Sequence, residues 1–364
     1  DPADGRSGAG TFTLEVTPLG TADALFTRPA NGRADIRYEL ETSLDSLAWA
    51  KTNVTPSMTI GSDGRQVVRY AHLDATTREP RALFRLKVSL DANLDGTAEQ
   101  TAVSPSVMFS RETFPIGQRT LSMPLVKAEL FAGIVTATDF TVTLPNAVTL
   151  PASTELYLED LTTGLAYEID ESTSTSTSTT LVAAESLPAL TRVALRAHHT
   201  LSTLLPADLF TPEDRVLTFD PAANTFTPTD LTATGWTEDL TLPKQNGLLV
   251  HLRTSEVTLI LTGQVTTKPA LKPATATRFL SSASVTAESP LSLGLTPENN
   301  FRAATAPSAA TRLRLWKADS DATQTGYDQL YLSPIMWLRE SSSTAENLTE
   351  TKLLEPFRAY FLVP

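Results

Sequence analysis

The stretch "RVLTFDPAANTFTPTDLTATGW", Arg215 to Trp236, decides the reading of the fold. It runs strand, polar turn, strand and a closing tryptophan. The same order returns in "RLRLWKADSDATQTGYDQLYLSPIMW", Arg312 to Trp337. Three further pairs keep the same succession along the chain. They are "RTLSMPL" (from Arg119) with "RFLSSAS" (from Arg278), "TLSTLLP" (from Thr200) with "PLSLGLTP" (from Pro290), and "NGLLVHL" (from Asn246) with "RAYFLVP" (from Arg358). Four matches in one order predict a duplicated β unit, with the drift in spacing between partners taken up in loops, which tolerate insertion.

The composition points the same way. At 364 residues the chain exceeds one ordinary core, so two or three domains are expected. Charged residues make up 19%, below the usual quarter, and Thr and Ser fill the difference. Threonine suits a pleated, half-watered surface, because its branched Cβ stiffens the side chain while the hydroxyl still meets solvent. A net charge of −12 without clustered Lys and Arg argues against nucleic acid as a partner. Zero cysteines remove disulfides, thiolate metal sites and thiol nucleophiles. No apolar run approaches the roughly 18 residues that a membrane-spanning helix needs. Because the numbering opens at Asp1 rather than Met, removal of a leader and a secreted or cell-surface location are expected.

These readings predict an all-β, multidomain chain. Residues 1–112 read as an immunoglobulin- or fibronectin-like β-sandwich, with "TFTLEVTP", "ADIRYELETS", "RQVVRYAHL" and "RALFRLKVSL" as strands and Trp49 filling the middle. Residues 113–126 with 200–275 form the first repeat and 276–364 the second. Residues 127–199, an excess found only in the first repeat, read as an inserted small β-barrel. Its run "ESTSTSTSTT", from Glu171, reads as a solvated hairpin tip or strand edge, or else as a threonine ladder.

Residues 11–90 resemble a fibronectin-type-III-like module of large bacterial surface proteins. Residues 117–364 resemble an uncharacterised family of secreted, Cys-free bacterial proteins. That second likeness is carried by "GQRTLSMPL", "VALRAHHTLSTLLP", "DRVLTFDPAANTFTPTD" and "LTLPKQNGLLVHLRTSEVTLILTGQV". It departs in the second repeat, where "SSAS" lacks a proline and "RAYFLVP" a glycine. The resemblances imply export and life at a surface and carry no catalytic motif.

Reactive constellations are few. "DANLDG" places oxygens at Asp91, Asn93 and Asp95 with a turn at Gly96, and Glu99 stands at position nine, the pattern of a calcium loop. The acid of position twelve is replaced by Ala102, so a plain Asn/Asp/Gly turn explains the same letters. Apart from this possible calcium, no cofactor is expected. His198 and His199 are adjacent and point to opposite faces of a strand, and His72 and His251 stand alone. There is no G-x-S-x-G elbow. Glu159 with Asp160, and Glu213 with Asp214, read as neighbours at loops or strand ends. Trp236 and Trp337 hold equivalent places and read as one core ring per repeat, or as sugar platforms.

The opening "DPADGRSGAG" has no apolar anchor, so either a partner orders it, or the strand after it pairs with its own sandwich and packing within the chain does so. The strand after it offers Phe12, Leu14 and Val16 on one face for addition to another subunit's sheet. The expected function is thus a non-enzymatic, secreted structural protein, the subunit of an extracellular filament or surface layer whose partners are copies of itself. The alternative is a cell-surface adhesin or polysaccharide-binding module.

Overall fold

A computed structural model of the chain describes residues 12–16, 21–30, 34–73, 79–151, 154–170, 177–188, 192–266, 271, 273, 275–281, 284–316, 327–340 and 346–364. The ten-residue opening and residues 171–176 of the Ser/Thr run lie outside them. The fold is all-β: its elements are antiparallel strands, joined in places by brief helical turns such as Leu201–Leu204. Among the described residues no helix is long and apolar enough to cross a membrane. Contacts divide the chain into two units, Asp1–Thr113 with Thr258–Val265, and Phe114–Val257 with Thr266–Pro364.

In the first unit the strands are β1 (Thr13–Val16), β2 (Ala22–Pro29), β3 (Ile36–Ser43), β4 (Ala50–Lys51), β5 (Ser57–Ile60), β6 (Arg65–Tyr70), β7 (Arg81–Leu90), β8 (Gln100–Val103) and β9 (Val107–Phe114). One sheet runs β1-β2-β6-β5. The other places Val257–Val265, β9, β7, β3 and β4 side by side, with β8 also on β7. Period-two alternation turns Ala22, Ala24 and Phe26 of the first sheet, and Ala82, Phe84 and Leu86 of the second, into one shared core. Phe84 stacks on Phe109 at 6.0 Å and Phe26 on Tyr38 at 5.6 Å. Each such ring contributes about 1.5–3 kcal/mol through burial.

Two sequence expectations are corrected here. Trp49 does not fill this core. It stands half-buried beside the turn after β3, donates its indole N–H to the Ser46 carbonyl at 3.0 Å, and carries the Arg85 guanidinium over its face at 4.2 Å. An indole needs an acceptor, which the turn supplies, and a cation gains from its face, which Arg85 of β7 takes up. Strand Val257–Val265, assigned by sequence to the first repeat, instead joins the first unit from Thr258 onward, where Val265 N–H bonds Ser106 O at 2.8 Å.

The second unit holds two five-stranded sheets. One orders Gly117–Leu121, Leu248–Leu252, Arg215–Asp220, Thr225–Thr232 and Gly235–Trp236. The other orders Arg278–Ser281, Ala359–Val363, Arg312–Trp316, Tyr327–Leu332 and Trp337–Arg339. Arg119 faces Val250 as Arg278 faces Leu362, Val216 faces Val250 as Leu313 faces Leu362, and Leu231 faces Trp236 as Leu332 faces Trp337. Both indoles donate to a backbone carbonyl, Trp236 to Leu205 at 2.8 Å and Trp337 to Leu295 at 2.9 Å. Their burial differs: Trp337 is 1% exposed, whereas Trp236 is half-buried with its ring edge-on to Phe210.

These sheets meet backbone to backbone. Ser122 N–H bonds Phe357 O at 3.2 Å, Ser281 N–H bonds Gln245 O at 2.8 Å, and Gly247 N–H bonds Phe279 O at 2.9 Å. Phe219, Phe226, Phe279, Phe361 and Tyr327 form a connected aromatic cluster beside this junction. The remaining strands of the unit form a four-stranded sheet (Phe131–Ile134, Arg192–Ala197, Leu156–Asp160, Ala166–Glu168) and a three-stranded one (Thr136–Thr138, Thr141–Thr149, Thr177–Val182) around their own core. An Ile169–Ala183 bridge joins them at one corner.

A Cβ at Gly247 would collide with the Ala359 methyl and stand 3.1 Å from Leu280 O. Gly247→Ala therefore lowers stability by about 1–3 kcal/mol through overpacking, seen as an earlier urea midpoint. An unchanged midpoint contradicts the close approach.

Candidate functional site

The acidic loop of the sequence is the turn of the β7–β8 hairpin. Asp91 is 1% exposed, and its Oδ2 accepts the Gly96 N–H at 3.0 Å and Arg37 Nη2 at 2.8 Å. Its Oδ1 is buried and has no partner. Asn93 Oδ1 accepts the Asp95 N–H, Asp95 Oδ1 accepts the Thr97 N–H at 2.8 Å, and Glu99 Oε2 accepts the Ala92 N–H at 2.7 Å. The Thr97 N–H is the largest influence holding the Asp95 carboxyl below its ordinary range. Carboxylate oxygens of Asp91, Asp95 and Glu99 lie within 4.8 Å of one another. Leu94 and Gly96 take positive φ, 60° and 93°, which folds the loop back on itself and suits a glycine at the second position. Ala102 has already entered β8 opposite Val88. Arg37 was not singled out by sequence, because its contact with Asp91 exists only across the β3–β7 ladder.

Phe12 and Leu14 are spent at home. Both are buried in the first unit's core, while β1 pairs with β2 from Thr13 opposite Leu25 to Val16 opposite Ala22. Val16 is 42% exposed. Of the two pairings open to the sequence, another copy's sheet or the chain's own sandwich, Phe12 and Leu14 take the second, because they share one core with Ala24 and Phe26. β1 and β5 are the two edges of this sheet among the described residues. All four residues of β5 are exposed, including Met58 and Ile60, which share one face.

One buried cluster of charged groups in the second unit is held together by its own members. Glu159 accepts Arg196 Nε at 2.8 Å and Lys244 Nζ at 2.7 Å, and Arg196 Nη1 also bonds Lys127 O at 2.6 Å. Burial lowers the Lys244 pKa and raises that of Tyr157, which lines the same small cavity with His198 and His199. His198 stacks on Tyr157 at 4.6 Å with Nε2 2.7 Å from Glu168. Burial drives His199 down to about 4, assisted by nearby Lys127. Asp214 caps a turn, its Oδ1 taking the Arg253 N–H and its Oδ2 the Thr211 N–H. Asp160 likewise accepts the Thr162 N–H at 2.9 Å. His251 faces Gln118 and Arg215 across its ladders, with its pKa lowered first by burial and then by Arg253 and Arg215.

An open groove in the second unit joins Glu155, Glu168 and Asp170 to Arg278 and an apolar wall that includes Phe219 and Phe279. Sequence reasoning missed it, since its lining comes from strands far apart in the chain. Comparison of the chain with family profiles, with curated proteins and with solved structures finds no match.

His199 sets a pH dependence. Its folded pKa lies below the unfolded value of 6.5, so the folded state binds fewer protons and stability falls as pH drops from 6.5 to about 4. Between pH 7.5 and 4.5, unfolding of the wild type should lose on the order of 2 kcal/mol more than His199→Gln. Equal losses in urea titrations overturn this assignment.

Proposed function

We propose that the protein is a non-enzymatic structural protein, exported to the cell surface, whose copies add to one another edge to edge to build a filament or layer. The observation that carries this is the exposed edge strand β5, bearing Met58 and Ile60, on the sheet whose opposite edge is β1. Unpaired N–H and C=O rows at a sheet edge are templates for another chain, and natural monomers usually blunt them with charge or proline. Within β5, "SMTI", there is neither. Pairing β5 of one copy with β1 of the next continues the sheet head to tail, and a contact of that kind propagates rather than closes. The N-terminal strand thereby serves the next copy while its Phe12 and Leu14 stay in their own core. Glu159, Asp160 and Asp214 are consistent with this reading, because they are buried and hydrogen-bonded within the chain.

The same proposal includes the finer architecture. An immunoglobulin-like sandwich precedes a duplicated five-stranded unit, and a small barrel is inserted in the first copy. Equal strand order, equal register and the paired indole bonds support the duplication.

Met58→Gln with Ile60→Lys tests the assembly, since both side chains are exposed and the one contact given up, Met58 Sδ accepting from Arg28 at 3.4 Å, can be remade by the glutamine oxygen. The wild type should sediment as concentration-dependent oligomers and show fibres or sheets by negative stain. The variant should stay monomeric with an unchanged melting temperature. Wild-type monomers at every concentration, or a variant that assembles equally well, overturn the reading.

The groove favours a second reading, binding of a surface polysaccharide. Carboxylates and a guanidinium lining a groove with apolar neighbours, the half-buried Phe219 among them, offer hydrogen bonds to hydroxyls and an apolar patch to a sugar ring. On a glycan array, specific binding that Asp170→Asn weakens at least several-fold supports it, and no binding by the wild type removes it.

A further inference from the structure

The β7–β8 turn carries a feature that assembly does not use. Asp91 is almost wholly buried, yet one of its carboxylate oxygens has no hydrogen-bond partner. A buried acceptor left unmet forfeits its hydration without recompense, and more so when charged. Its companion oxygen is pinned by Gly96 N–H and Arg37, so the orphan cannot be relieved by rotation without breaking those bonds. Oxygens of Asp95 and Glu99 gather within 4.8 Å of the same carboxylate, although three like charges so close repel. Backbone N–H groups of Ala92, Asp95 and Thr97 orient Glu99, Asn93 and Asp95, and Asn93 Nδ2 donates to the second Asp95 oxygen at 3.1 Å, a bond that an amide turning its oxygen toward a cation would give up.

From this we propose that the Asp91–Glu99 turn is a calcium site, with Asp91, Asn93, Asp95 and Glu99 as its side-chain ligands. A divalent cation supplies the orphaned oxygen with a partner and cancels the repulsion among the three carboxylates. All four ligands are hard oxygen donors, which suit calcium rather than a softer metal. Four side chains fall short of the six to eight oxygens calcium takes, so water and loop carbonyls complete the shell. Position twelve is closed to a ligand, because Ala102 is paired in β8. Arg37 adds a positive charge beside Asp91. Both features place the affinity near the weak end, about 10⁻⁴–10⁻³ M, the range of extracellular modules. Magnesium fits poorly, since it demands a small, nearly ideal octahedron and gives up water reluctantly.

The test uses the full chain after chelator treatment and gel filtration. Calcium chloride at roughly tenfold excess over that affinity should raise the melting temperature of the first unit by about 5 °C, and calorimetry should show saturable heat. Magnesium chloride should leave both unchanged. Asp95 and Glu99 are exposed, so Asp95→Asn with Glu99→Gln should keep the metal-free melting temperature and lose the calcium response. No calcium-dependent shift or heat in the wild type overturns the site. So does a double variant that responds like the wild type, or an equal response to magnesium.

Discussion

The second unit depends on how closely two backbones can approach at Gly247. The N–H of that residue reaches Phe279 O across the junction, and its missing side chain leaves room for Ala359. Once the sheets stand that near, Ser122 and Ser281 donate their N–H groups to Phe357 and Gln245, and the four phenylalanines of the cluster close over the seam. A buried peptide group without a partner costs as much as a lost hydrogen bond, so a junction of this kind forms completely or not at all. The aromatic rings then contribute burial that exposed loops at the same place could not.

Charge is handled by the same logic. Glu159 is buried, and alone it would carry a desolvation cost of several kcal/mol. Arg196 from a neighbouring strand and Lys244 from the turn before Leu248 remove that cost by direct bonds. Net stability gains little from such a set, since desolvating the ions offsets most of their attraction, whereas removing one partner leaves a buried charge uncompensated. Groups committed in this way are poor catalysts, because a general base has to be free to reach a substrate proton. The Asp91 turn is different: its acids face one another rather than cations, apart from the single bond from Arg37.

Several elements could be read from the residues alone, and particular cases show why others could not. The strand, turn, strand and tryptophan order of Arg215–Trp236 and Arg312–Trp337 appears in the structure as paired strands at matching registers, since alternation and turn chemistry are local properties. Trp49 was misplaced because its stacking on Arg85 joins residues from different strands. Phe12, Leu14 and Val16 were recognisable as an apolar strand face, but period-two alternation is silent on whose sheet that face covers. The four oxygen donors of Asp91–Glu99 were visible as a pattern. The unpartnered Asp91 oxygen that distinguishes them from an ordinary turn was not.

By itself the sequence determined that this chain is all-β and that, having no cysteine, it has no thiol chemistry. Those conclusions need only periodicity, turn residues and composition. Tertiary structure alone decided that β1 pairs at home, that Val257–Val265 leaves the repeat for the first unit's sheet, and that Glu159, Arg196 and Lys244 neutralise one another. The reason is physical: which edge a strand pairs with, and which charge a carboxylate meets, depend on groups brought together from distant parts of the chain, and no local pattern of residues encodes that distance.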